Sequence, residues 1–128
     1  MAIKFKARER GEPGVVGGGT KKWYATTVLD QRVNLKDLTV DIERICTVNR
    51  ADILAVLSAL VQLIPEKLTN STIVQLGDLG FFRTHVKSRA EDTEDDVSSS
   101  SVIGNKIIFT PGLDIKNALK TATYQKAQ

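Results

Sequence analysis

The chain has 128 residues, with 18 Lys and Arg against 15 Asp and Glu, a net charge of +3 that permits a nucleic-acid partner without requiring one. A single cysteine excludes an intrachain disulfide, and no apolar run approaches the roughly 18 residues of a membrane span. This length fits one core, marginal unless oligomerisation adds buried area.

Among residues 1–33 there are seven basic and three acidic side chains, a balance of +4. Ile3 and Phe5 alternate with Lys4 and Lys6, as in a half-buried strand, and Trp23 to Leu29 is rich in aromatic and β-branched residues. Gly11 to Thr20, with Pro13 and the run Gly17-Gly18-Gly19, joins the two as a loop. A phosphate loop is not supported: there is no Gly-x-x-x-x-Gly-Lys-Ser/Thr pattern and no helix signal follows. The expectation is an N-terminal β-hairpin over 1–33, then a main domain over 34–128. No apolar leader accompanies the early cations, so a cytoplasmic protein is expected.

Asn34 with Asp37 has the spacing of a capping box, and Leu35, Leu38, Ile42 and Ile45 recur at helical intervals, predicting a helix over about 35–46. Cys46, at its end, is expected to be buried or half-buried. Asn49 and Asp52 open a second helix that is apolar over most of its circumference, from Ile53 to Ile64. So small a domain cannot cover that face, which implies a homodimer through the helix Arg50 to Leu68 and the sheet. Pro65 is expected to kink or tighten this helix, with Asn70 near its terminus.

Val74-Gln75-Leu76-Gly77-Asp78-Leu79-Gly80-Phe81-Phe82 is answered much later by Phe109-Thr110-Pro111-Gly112. These are paired strands whose far ends run out as an arm, about 83–108. Pro111-Gly112 then opens a last helix carrying Ile115, Ala118, Leu119 and Ala122 on one side, and the tail Thr123 to Gln128 is expected to fray.

The order of these elements resembles the bacterial histone-like HU and integration host factor family. Val74-Gln75-Leu76, Gly80 and Phe82 are similar to its sheet signature, and Phe109-Thr110-Pro111-Gly112 with Leu113 to Lys120 to its closing strand and helix. The resemblance covers about residues 34–121, and the N-terminal extension is similar to that of a longer HU-related subgroup of Bacteroides type. It implies an α+β, HU/IHF-like fold: two N-terminal helices, a three-stranded antiparallel sheet with a projecting β-arm, and a C-terminal helix, here with the extra hairpin. It also implies an intertwined homodimer in the nucleoid whose arms reach around double-stranded DNA and bend it.

Arg83, His85, Lys87 and Arg89 fall at i, i+2, i+4 and i+6, so a strand projects all four from one face, about 7 Å apart, suited to following phosphates. The alternative is a solvated edge whose charges resist aggregation. Asn105 and Lys106 on the return strand, Lys116 and Lys120 on the last helix, and Lys4 and Lys6 at the N-terminus complete the candidate DNA contacts. Trp23 and Tyr24 are assigned to core packing, with base stacking as the alternative. His85 has no Cys or carboxylate partners at ligand spacing, so no metal and no cofactor is expected.

The arm tip departs from the family, whose Arg-Asn-Pro wedge is missing: no proline stands between Pro65 and Pro111. In its place are Glu91, Asp92, Glu94, Asp95 and Asp96, then four serines, expected to form a disordered solvated turn repelled by phosphate. The reading is a dimeric, largely sequence-independent DNA-binding protein that bends DNA weakly. The competing reading is an HU-fold protein-interaction module whose partner meets the acidic tip. An enzyme is not expected, for want of a convergent nucleophile, base or metal cage.

Overall fold

A computed structural model describes residues 2–128 as an α+β protein with three α-helices and two three-stranded sheets among the described residues. The described residues divide into two compact units, 2–32 with 118–128, and 33–117.

In the first unit, β1 (Ala2–Arg10) pairs antiparallel with β2 (Lys22–Thr27), as the two strand patterns predict. The loop between them closes with Glu12 N–H donating to the Gly18 carbonyl, and Gly17, Gly18 and Gly19 all have positive φ. The tail does not fray. Thr123–Lys126 forms a strand, β6, parallel to β1 in register Ala2 with Thr123 through Phe5 with Lys126, and Ala127 N–H donates to Phe5 O at 2.8 Å. A four-residue segment has no stability of its own; the open hydrogen-bonding edge of β1 supplies it. Nor are the aromatics core residues: Trp23 is 68% and Tyr24 37% exposed, because a three-stranded sheet leaves both on open faces.

The second unit begins with α1 (Leu35–Ile45), closed by the predicted capping box: Asp37 N–H donates to Asn34 Oδ1 at 2.9 Å and Asn34 N–H to Asp37 Oδ2 at 3.1 Å. Cys46, one residue past the last turn, is exposed, correcting its expected burial. The α2 helix (Arg50–Leu68) is capped by Asn49, which accepts from Asp52 N–H at 3.0 Å. Ile53 and Leu68 are buried, and Leu57, Leu60 and Ile64 between them are half-buried on the same stripe. Val56, Val61 and Leu63 stay exposed, so the apolar circumference read from the sequence is only partly covered. Pro65 cannot donate to the Val61 carbonyl, yet the helix runs three residues further. Thr69 Oγ1 and Asn70 Nδ2 close it on the Glu66 carbonyl.

The second sheet has the order β3 (Val74–Gln75), β4 (Gly80–Ser88), β5 (Val102–Pro111), all antiparallel. Two glycines of the signature are dictated by contact. At Gly80, with φ +145°, a Cβ would strike Thr110 O and the Phe109 ring; at Gly112 it would collide with the Asp78 carbonyl. Phe82 and Phe109 face each other with ring centroids 4.9 Å apart. Thr84 Oγ1 donates to the Leu68 carbonyl at 3.2 Å, fastening the last turn of α2 to the sheet. The chain then enters α3 (Leu113–Lys120), within which the two units divide.

Candidate nucleic-acid interface

Strand register sorts the candidate residues by face. Arg83 pairs with Ile108, His85 with Lys106 and Lys87 with Gly104, so Arg83, His85, Lys87 and Lys106 share one side of the arm. All four are exposed, and none has an ion-pair partner among the described residues. Lys87 lies over Gly104, where a Cβ would meet Lys87 Cδ at 4.0 Å. Arg83, Lys87 and Lys106 thus leave uncompensated positive charge along a two-stranded ribbon, with the His85 imidazole among them.

Asn105 stands apart from Lys106. It pairs with Val86 on the opposite side, together with Thr84, Ile107, Phe82 and Phe109. That side, Phe109 apart, lines with Ile64, Pro65, Leu68 and Ile73 a groove of about 640 Å³, to which Arg83 and Lys106 also contribute. The sequence reading missed this apolar underside, although the alternation of Thr84 and Val86 with the cations marks it.

Beyond Lys87 the register slips. Lys87 pairs with Gly104 but Ser88 with Val102, leaving Ile103 as the extra residue of a bulge. Gly104, a glycine inside a strand, is the sequence signal for it. Arg89 follows the bulge, and its Nε donates to Glu91 Oε1 at 2.7 Å. Its charge is spent locally, whereas those of Arg83 and Lys87 are not.

The tip itself is ordered, correcting the expected disordered turn. Ser101 is fully buried; its Oγ donates to Glu91 Oε1 at 2.8 Å and accepts from Ser98 N–H at 3.1 Å, while its carbonyl accepts from Arg89 N–H at 2.9 Å. Two single 3-10 turns, Glu94–Asp96 and Ser99–Ser101, complete it. The Arg89 and Ser101 hydrogen bonds hold the Glu91 carboxyl below its ordinary range. One acidic side chain is thus an acceptor inside the turn, with Arg89 and Ser101 as its donors.

Lys116 and Lys120 are exposed on α3. Lys4 and Lys6 lie on β1, where Lys4 Nζ is 2.6 Å from Asp30 Oδ2 and lowers the Asp30 pKa by hydrogen bonding and charge. Lys6 has no ion-pair partner among the described residues.

No curated protein matches the chain. A solved structure from Bacteroides vulgatus ATCC 8482, provisionally described as a bacterial DNA-binding protein, is similar with a TM-score of 0.65 and 12% sequence identity. The match covers 98% of this chain and 49% of that one, so the chain spans about half the length of that structure, and at this identity the likeness is one of fold. A family model described as an HU domain fused to wHTH, Ig, or Glycine-rich motif matches residues 1–126. With nearly its whole length matched, the chain belongs to this HU-HIG family.

Proposed function

We propose that this chain is a dimeric, histone-like protein of the nucleoid that binds double-stranded DNA with little sequence preference. The observation that carries the reading is the exposed row Arg83, His85, Lys87 and Lys106, on one face of the β4–β5 ribbon and free of ion pairs among the described residues. Cations on an extended ribbon can track phosphates, giving affinity that depends on salt rather than on base sequence. Membership of an HU family and the DNA-binding description of the Bacteroides vulgatus structure support the same partner. Lys116, Lys120 and Lys6 are further phosphate contacts in this reading; Lys4 and Arg89 contribute less, being neutralised by Asp30 and Glu91.

The HU/IHF-like arrangement accounts for the homodimer: a second copy covers the exposed apolar residues of α2 and the groove beneath the arm. The protein acts by architecture and not by catalysis. Because the tip has no proline wedge and presents carboxylates, DNA bending is weaker than for typical HU. Fluorescence anisotropy of a labelled duplex, titrated across salt, tests the reading: affinity falls steeply as salt rises, and absence of binding at low salt refutes it.

The ordered tip favours a second reading, an HU-fold interaction module, since a fixed acidic turn presents a defined surface to a basic protein. Neutralising Asp92, Glu94, Asp95 and Asp96 to Asn or Gln separates the two. Under the first reading DNA affinity rises; under the second, duplex affinity is negligible before and after.

A further inference from the structure

The first unit carries its own basic face. Register places Lys4, Lys6, Arg8 and Arg10 on one side of β1, with Thr26 opposite Lys6, Tyr24 opposite Arg8 and Lys22 opposite Arg10. The only acid of β1, Glu9, lies on the other side opposite Trp23, with Ile3, Phe5 and Ala25. Glu12 stands 3.8 Å from Lys22 and Asp30 neutralises Lys4, while Lys6, Arg8 and Arg10 have no ion-pair partner among the described residues.

Edge protection accounts for charge on this strand but not for its single sign. β6 pairs only with Ala2–Phe5, so Lys6, Arg8 and Arg10 lie where β1 has β2 on one side and an open edge on the other. Like charges about 7 Å apart along one strand repel one another, and an ordinary solvated face mixes both signs. A polyanion laid along β1 relieves that repulsion. The face also holds Tyr24, 37% exposed and bracketed by Arg8 and Lys22. A flat ring among cations offers a surface to an unpaired base, whose faces a duplex keeps covered by stacking.

We propose that this face is a separate binding site for single-stranded nucleic acid, with the backbone along Lys6, Arg8 and Arg10 and a base stacked on Tyr24. It is distinct from the duplex site proposed on the arm. The full chain is titrated with a labelled oligothymidylate of about 12 nucleotides and, in parallel, with a duplex. Tyr24→Ala is expected to weaken oligothymidylate binding roughly 5- to 100-fold and leave duplex binding unchanged. Tyr24→Phe, which keeps the ring, retains single-strand affinity, and Arg8→Gln lowers it. The double variant Arg83→Gln/Lys87→Gln weakens duplex binding only. Failure of wild-type protein to bind oligothymidylate, full single-strand affinity in Tyr24→Ala, or equal loss on both ligands overturns the proposal. If the arm variant binds duplex like wild type while Tyr24→Ala loses the single strand, the arm reading falls and this one stands.

Discussion

At the residue scale, what separates useful from spent charge is local pairing. Arg83 and Lys87 face solvent alone, while Arg89 is held by Glu91. Arg83→Gln or Lys87→Gln is therefore expected to lower duplex affinity on any sequence and to reduce the salt dependence by about one counterion each. Arg89→Gln changes the salt slope less; equal slopes for all three variants contradict the pairing argument. Glu91 adds a pH dependence. Its folded pKa lies below the ordinary 4.5, so its contribution to tip order is fully present above about pH 4.5 and is lost as acidification passes through the folded value. Protection of the Ser98 and Ser101 amides, taken relative to the intrinsic exchange rate at each pH, should fall in that window, and Glu91→Gln should be less protected already at neutral pH with the acid step removed. An unchanged acid step in the variant rules out Glu91 as its source.

At the element scale, the helix starts were legible because capping is written in adjacent residues: Asn34 with Asp37, and Asn49 with Asp52, both close as their spacing requires. Asn34→Ala is expected to cost about 1 kcal/mol in denaturant unfolding. The strands were legible in their alternation, and the Pro-Gly stop in its chemistry. Gly112→Ala, which drives a Cβ into the Asp78 carbonyl, should destabilise by well over ~1 kcal/mol; wild-type stability would mean that the β4 entry can shift aside. What remained illegible depends on partners distant in sequence. The strand β6 exists through β1, more than a hundred residues earlier. Ser101 reads as one of four identical serines until its register with Arg89 and Glu91 is known. Asn105 and Lys106 are neighbours in sequence but occupy opposite faces, one apolar and one basic.

At the scale of the whole molecule, too little is covered for a chain of this size. The accessible surface is 10765 Å². A compact folded monomer of 14.0 kDa exposes about 6,700 Å², and two separate bodies of the two units' sizes about 8,000 Å². Ile53 and Leu68 alone are buried apolar side chains among the described residues, while Val56, Val61 and Leu63 on α2 and Val86 and Ile107 under the arm remain exposed. An excess of this size exceeds what a standard interface removes from one partner, about 800 Å², and suits the larger, apolar interfaces of obligate homodimers. For the proposed homodimer, sedimentation equilibrium should give a dimer, and the melting temperature should rise with protein concentration. Leu63→Glu and Val56→Glu, which place charge on the uncovered face of α2 and touch none of the arm cations, should shift the population to monomer or unfolded chain and lower duplex affinity with it. A concentration-independent melting temperature, together with a monomer that binds duplex as tightly as before, would show that the arm works alone and that the uncovered face of α2 serves something other than self-association.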